Sequence, residues 1–207
     1  MIKSENHMLV LAIAAVIVSA IGAGISYGSF SYGEKWFTGY VTDTGTVNLT
    51  VITTASINFT TDNINFGVGR VDAGAPNATL VTTGRNNTGG NWTNVTQGFV
   101  LENIGNLNVT ISLSTGKNAA TFLGGTNPRY QFNVTNVEIG SCINRSGYNL
   151  GQWYDANTTS PGTYICSNFS FSDVRDTIRI DVRLVVPSDS LTGDLGDIVT
   201  ADAQLST

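Results

Sequence analysis

Few residues of this 207-residue chain have the types and spacing that catalysis needs. The only histidine, His7, precedes a long apolar segment, which keeps it from acting in a Ser-His-Asp triad or as a metal ligand in the polar remainder of the chain. No glycine-rich phosphate loop follows a strand and opens a helix. Paired carboxylates, which glycosidases use, are the one catalytic arrangement that the sequence leaves open. We therefore expect a protein that is not an enzyme and that needs no cofactor.

Acidic residues fall into two loose groups. Residues 173–179 interleave two aspartates with two arginines, which is typical of a solvated ion-pair network. Asp189, Asp194 and Asp197 share one loop, and hard oxygen ligands on one loop suit calcium. Their spacing matches no EF-hand loop, so a solvated turn is the alternative. On this basis we predict no metal site.

The two cysteines, Cys142 and Cys166, have chemistry that depends on where the chain resides. If the chain is exported, an oxidising exterior favours a disulfide between them. Such a bond closes a loop of about 24 residues and contributes about 3.5 kcal/mol in the chain-entropy model. Two buried free thiols are the alternative, because two sulfurs without histidine make a poor zinc ligand set.

Asparagine supplies the most frequent motif. Eleven Asn-x-Ser/Thr acceptor sites are present, more than twice the number that the abundance of Asn, Ser and Thr would give by chance. They begin at Asn48, Asn58, Asn77, Asn86, Asn91, Asn94, Asn108, Asn133, Asn144, Asn157 and Asn168. Either Asn and Thr are simply abundant in turns and on strand faces, or the chain is a heavily N-glycosylated surface protein. We predict N-linked glycans.

An uncharged segment near the N-terminus indicates where the rest of the chain goes. Residues 8–33 contain no charged residue, and their most apolar part, residues 8–30, exceeds the roughly 18 apolar residues that mark a possible transmembrane helix. As a signal peptide, the segment has Lys3 before its apolar core and a small-residue cleavage site at residues 18–20. As a retained apolar helix, it anchors the chain in the membrane. Whether residues 1–33 are a signal peptide or a transmembrane anchor, the rest of the chain crosses the membrane, so we expect it to be extracellular or at the cell surface.

The remainder is acidic and polar. The formal net charge of the chain is −5 and only 12% of its residues are charged, which argues against nucleic acid as a partner because phosphate binding needs clustered Lys and Arg. Residues 34–45 form a predicted tether, whose Trp36, Phe37 and Tyr40 rest at the membrane interface or cap the folded domain. Residues 46–207 fit one globular domain.

The domain at 46–207 shows the two-residue alternation of β-strands. In the clearest case, apolar residues at 178, 180, 182 and 184 alternate with charged ones, and residues 46–52 alternate in the same way. Further strands are predicted at 57–59, 64–66, 99–101, 107–113, 130–134, 164–171 and 198–205, with a turn at 60–63, an exposed loop at 84–96 and a hairpin turn at 103–106. Residues 198–205 are expected to pair back on the preceding strand. Many short strands between turn signals predict a mainly β chain with a single β-sandwich.

Three stretches resemble one family. They are Thr46–Val51 (TVNLTV), residues 99–109 (FVLENIGNLNV), and residues 178–202, which contain two strands around a Pro-Ser-Asp and glycine loop. Together they resemble the TasA/camelysin biofilm-fibre proteins and the archaeal bundling pili, and the likeness covers half of the exterior domain.

That resemblance implies a jelly-roll-like subunit whose N-terminal strand enters the next subunit. Main-chain hydrogen bonds supply the affinity of such strand addition, and alternate side chains fill pockets. Val47, Leu49 and Val51 would be the donor-strand anchors. A glycan on Asn48 is compatible with donation only if that face of the strand stays in solvent. The alternative is an ordinary first strand of the chain's own domain.

The overall plan also resembles an archaeal type IV pilin, although Asn6 and His7 precede the apolar run where a small residue would be expected. We therefore expect a structural subunit of an extracellular filament or surface coat. Its partners would be further copies of itself or other surface proteins. The alternative is a membrane-anchored, monomeric surface binding or adhesion module.

Overall fold

The computed structural model describes residues 46–143 and 148–206 of the chain. Within them lie ten strands and one short helix: β1 Asn58–Thr61, β2 Asn77–Val81, β3 Phe99–Glu102, β4 Val109–Thr115, α1 Ala119–Leu123, β5 Arg129–Asn136, β6 Cys142–Ile143, β7 Trp153–Asp155, β8 Thr163–Phe169, β9 Thr177–Pro187 and β10 Val199–Leu205. The prediction of a mainly β chain is confirmed. The chain divides after Thr50 into two units, and all of these elements belong to the second.

The first sheet is built around the eleven-residue strand β9. Along one side β9 pairs with β5, and along the other it pairs with β3 and then with β2. β1 extends the sheet beyond β3, β7 extends it beyond β5, and every pairing is antiparallel. Ile178, Ile180, Val182 and Leu184 of β9 are all buried, as the alternation of this strand predicts.

The second sheet has the order β10-β4-β8-β6 and is also antiparallel. All seven residues of β4 are buried. β4 lies between β10 and β8, so both of its backbone edges are paired. A disulfide links β6 to β8.

One hydrophobic core lies between the two sheets. It combines the inward residues of β9 and β5 with Val109, Ile111, Leu113 and Phe169 of the second sheet. Helix α1 adds Phe122, whose ring lies 5.1 Å from that of Tyr130. Two antiparallel sheets that share a core form a sandwich-like arrangement, and this part of the sequence prediction is confirmed.

Two predicted connections are wrong. Residues 103–106 do not close a hairpin, because β3 belongs to the first sheet and β4 to the second. Asn103 is buried at this crossing, where its side-chain amide donates to the carbonyls of Leu107 and Phe169, both at 3.1 Å. β10 likewise pairs with β4 of the second sheet and not with β9.

Other predictions differ in detail. β1 contains Thr60 and Thr61, which were expected in a turn, and residues 64–66 form no strand. The strands β2, β6 and β7 have weaker alternation and were not predicted. The N-terminal apolar segment, the tether at 34–45 and Asn144 lie outside the described residues. Among the residues that are described, no helix is long and apolar enough to cross a membrane.

Candidate assembly edge

The alternating segment Thr46–Ile52 forms no strand. Its three proposed anchors are exposed, with Val47 at 96%, Leu49 at 84% and Val51 at 72% of their full accessibility. Apolar side chains at two-residue spacing are typical of a strand that buries one of its faces. In this chain the segment has the pattern of a strand without the burial that the pattern predicts.

β10 provides the longest open strand edge among the described residues. It pairs with β4 over seven consecutive residue pairs without a register shift, and it is the last strand of the second sheet. The other edge strands are shorter: β6 has two residues, β7 three, β1 four, and β2, which pairs with β9 alone among the strands, has five. Strand edges that must not associate are usually blunted by charged side chains, Pro or a bulge. β10 has no Pro and no bulge, and Asp202 is its one charged residue.

The inward face of β10 is only partly covered. Val199, Ala201 and Ala203 pack against the core while remaining half-buried. These side chains are spaced by two residues, as are Val47, Leu49 and Val51. A seven-residue strand added beyond β10 would therefore extend the apolar face of the second sheet with a matching period.

An open groove lies at the C-terminal end of β10 and has a volume of about 480 Å³. Leu107, Phe171 and Leu205 contribute apolar surface to it, and Asn108 and Asn168 contribute polar surface. Because the lining is both apolar and polar, the groove suits a side chain of an added strand while the backbone of that strand stays hydrogen-bonded.

The last residue of the alternating segment and the chain that follows it are attached to the crossing between β3 and β4. The side chain of Asn106 donates to the carbonyl of Ile52 at 2.7 Å and accepts from the amide of Thr54 at 2.7 Å. The backbone amide of Asn106 also donates to the carbonyl of Thr54 at 3.1 Å. Gly105 is required here because a Cβ atom would approach the carbonyl oxygen of Thr54.

The loop that carries Asp189, Asp194 and Asp197 does not gather its carboxylates. Asp189 accepts from the amide and the hydroxyl of Thr126, at 2.9 and 2.8 Å, and these bonds lower the pKa of its carboxyl group. Asp197 lies beside Tyr130, where burial and then the charge of Asp197 raise the pKa of the phenol. Across residues 46–143 and 148–206, no group of three or more His, Cys, Asp or Glu side chains is arranged to hold a metal ion.

The ion pairing expected within residues 173–179 takes another form. Arg179 pairs with Asp181 at 2.7 Å and also donates to the carbonyls of Thr82 and Thr96, at 2.6 and 3.0 Å. Asp176 is buried, and its amide donates to the carboxylate of Glu138 at 2.9 Å. The expected network of solvated pairs is therefore wrong, because the strand alternation of β9 directs Arg179 towards Asp181 on the same face.

The acceptor asparagines differ in exposure. Six are exposed: Asn48, Asn58, Asn77, Asn86, Asn91 and Asn94. Asn108, Asn133, Asn157 and Asn168 are half-buried. The side-chain oxygen accepts a backbone hydrogen bond in Asn91, Asn94, Asn108 and Asn157. The side-chain nitrogen of Asn94, which would carry a glycan, donates to the side chain of Asn86 at 3.3 Å. Glycosylation of these sites stays a prediction.

The predicted pairing of Cys142 with Cys166 is confirmed. The two Cα atoms lie 5.6 Å apart, and both residues are buried in the core. A buried disulfide fits an oxidising, extracellular setting. The disulfide therefore agrees with the export that the N-terminal segment predicts.

The described residues define a class of protein: two antiparallel sheets joined by a disulfide-stabilised core, with β10 as a long, open edge strand. Comparison of the chain with family models, with curated proteins and with solved structures found no match.

Proposed function

We propose that this protein is a structural subunit of an extracellular filament or surface coat and that it assembles by strand addition. The segment Thr46–Ile52 of one subunit would pair with the open edge of β10 in the next. The observation that carries the proposal is the open edge of β10, which has the same seven-residue length as the segment. The added strand would complete a jelly-roll-like sandwich.

Strand addition would change the environment of the segment in a specific way. Val47, Leu49 and Val51 would cover the half-buried face of β10, while Asn48 and Thr50 would stay in solvent. A glycan on Asn48 is therefore compatible with the assembled state. Burial of three exposed aliphatic side chains favours association by roughly 1.5–3 kcal/mol each before the cost of ordering the segment.

Substitution of the two faces of the segment tests the proposal. Replacing Val47, Leu49 and Val51 together by Asp should abolish polymers seen by electron microscopy, because each charge would enter an apolar environment. The matched control replaces Thr46, Asn48 and Thr50 by Asp, which adds the same number of charges to the solvent face and should leave assembly intact. Equal loss of assembly in both variants would contradict the proposed orientation.

Cross-linking identifies the acceptor strand. Leu49→Cys is combined in turn with Val199→Cys, Ala201→Cys and Ala203→Cys, and at least one combination should give a ladder of disulfide-linked multimers. Leu49→Cys with Thr200→Cys is the control, because the side chain of Thr200 lies on the opposite face of β10 and the two Cβ atoms would point apart.

Two results would reject strand addition between subunits. A cross-link within a single chain would show that the segment is a strand of its own domain. A chain that stays monomeric at every concentration, with no cross-link, would instead support a membrane-anchored binding or adhesion module. We assign no catalytic role to the chain in either case.

A further inference from the structure

The outer face of the first sheet brings together polar and aromatic side chains from three neighbouring strands. Gln131 of β5 lies opposite Arg183 of β9 on one side and Asp155 of β7 on the other. Arg129 and Trp153 are two residues away along β5 and β7, so they lie on the same face. We call these five residues the arginine–tryptophan cluster.

The guanidinium group of Arg183 is held in place from two directions. Its Nε and Nη2 atoms donate to Oε1 of Gln131, at 2.8 and 2.5 Å, and the group lies over the ring of Trp153 at 4.6 Å. Gln131 is fixed in turn by its donation to Asp155 at 2.8 Å. The planar fork of Arg183 is therefore ordered before any ligand binds, which lowers the entropic cost of binding.

Within residues 46–143 and 148–206, no ion pair neutralises the positive charge of the cluster. The hydrogen bonds of Arg183 to Gln131 reach a neutral amide oxygen. The side chain of Arg129 is exposed and has no hydrogen-bond or ion-pair partner among the residues that the structure describes. Burial lowers the pKa of Arg183, the nearby charge of Arg129 lowers it further, and Asp155 acts in the opposite direction. Two guanidinium groups next to one exposed carboxylate thus leave an excess of positive charge on an acidic chain.

We infer that the arginine–tryptophan cluster binds the carboxylate of a uronic acid residue in an acidic polysaccharide. A carboxylate matches the unused N–H groups of the Arg183 fork, and Arg129 supplies a second cation beside it. The exposed carboxylate of Asp155 is positioned to accept hydrogen bonds from sugar hydroxyls next to that carboxylate. The cluster lies across three strands of a sheet, roughly 10 Å in width, which suits a sugar residue of an extended chain. This site is separate from β10 and does not depend on strand addition.

Binding of the full-length chain to immobilised polygalacturonate tests the inference. Neutral detergent keeps the N-terminal segment in solution. The chain should bind polygalacturonate and should not bind the fully methyl-esterified polymer, which has the same sugar without the charge. Binding should weaken as salt increases, because the contact is made by exposed charges. Inorganic sulfate, added as a competitor, distinguishes a site for any small anion from a site for the sugar.

Single substitutions place the binding in the cluster. Arg129→Gln should weaken binding about tenfold, since a charge-assisted contact is lost. This exposed side chain has no ion-pair or hydrogen-bond partner in the part of the chain that the structure describes. Arg183→Lys should weaken binding although it retains the charge, because Lys lacks the planar fork. Arg85→Gln is the matched control: it removes the same charge from an exposed loop and should change the affinity less than about twofold.

Several results would overturn the inference. Equal binding to the charged and the esterified polymer would show that the carboxylate is not recognised. Equal weakening by Arg129→Gln and Arg85→Gln would show that only net charge matters. Complete competition by millimolar sulfate would indicate a general anion site. If Arg129→Gln changes the sedimentation of the protein without affecting polysaccharide binding, the cluster is a contact between copies of the chain.

Discussion

Thr82 and Asp181 form a buried hydrogen bond between residues that are 99 positions apart in the chain. The hydroxyl of Thr82 donates to Oδ1 of Asp181 at 2.7 Å, and the same hydroxyl accepts from the amide of Val182 at 2.9 Å. Thr82 is 0% exposed and Asp181 is 5% exposed. One hydroxyl at the end of β2 therefore satisfies a backbone amide of β9 and shares the buried carboxylate of Asp181 with Arg179.

Replacing Thr82 by Val should lower the free energy of unfolding by about 3 kcal/mol. The new side chain has nearly the same shape, but the buried amide of Val182 loses its acceptor, and the carboxylate of Asp181 loses one donor while it keeps the ion pair with Arg179. Urea denaturation with the disulfide intact measures the effect. Thr83→Val, at the exposed neighbouring position, should stay within about 0.5 kcal/mol of wild type. Equal costs for the two variants would assign the loss to the exchange of a hydroxyl for a methyl group in general and not to the buried hydrogen bonds.

Alkaline pH should destabilise the protein through Tyr130. Burial and the neighbouring Asp197 raise the pKa of this phenol in the folded state. Because the pKa of Tyr130 is higher in the folded than in the unfolded state, its protonated phenol contributes fully to the free energy of unfolding below the unfolded-state pKa of about 10. This contribution is lost as the pH rises above that value. The free energy of unfolding should therefore fall more steeply between pH 10 and 11 for wild type than for Tyr130→Phe, by up to about 1.4 kcal/mol per pH unit. Parallel curves would contradict this assignment.

Removal of the disulfide should destabilise the protein by about 3.5 kcal/mol. Cys142 and Cys166 close a loop of 24 residues, and the double substitution by Ala restores the entropy of that loop to the unfolded chain. Thermal or urea unfolding of the variant gives the value, and reduced wild-type protein should lose a similar amount. If both thiols of the unreduced protein react with an alkylating reagent, the bond is absent under native conditions.

Gly162 should not tolerate alanine. Its φ angle is +92°, and a Cβ atom would collide with the backbone carbonyl of Leu113 on β4. Gly162→Ala should cost at least about 3 kcal/mol through backbone strain and displacement of the adjoining strand. Gly151 has a similar φ angle of +82° but no atom within 4 Å of an added Cβ, so Gly151→Ala should cost only the strain, about 1–2 kcal/mol. Equal losses would rule out the collision as a cause.

Glycan occupancy should differ between acceptor sites. Asn133 lies in β5 between β7 and β9, and its side-chain oxygen is buried. Asn91 lies in an exposed loop. Mass spectrometry of glycopeptides from the native host should find Asn91 modified and Asn133 unmodified, because a transferase acting on the folded domain cannot reach the centre of the sheet. A fully occupied Asn133 would show that modification precedes folding.

The sequence alone determined which residues face the core in the strongest strands. In β9 the alternation of Ile178, Ile180, Val182 and Leu184 with charged residues predicted both the strand and its buried face, since successive side chains of a strand point to opposite sides. The two cysteines and the expectation of an exported chain likewise predicted their disulfide. These features depend on the spacing of apolar residues along the chain and on its composition, and both can be read from one sequence.

Only the tertiary structure decided which strands are neighbours. The backbone groups of any strand can pair with those of any other, so alternation does not specify a partner, and short turn signals at 103–106 resemble a hairpin although the chain crosses there between sheets. The pairing of β10 with β4 created the open edge, and the register of β5 with β9 placed Gln131 next to Arg183. Both candidate sites therefore depend on contacts between residues distant in sequence, which are determined by packing of the shared core.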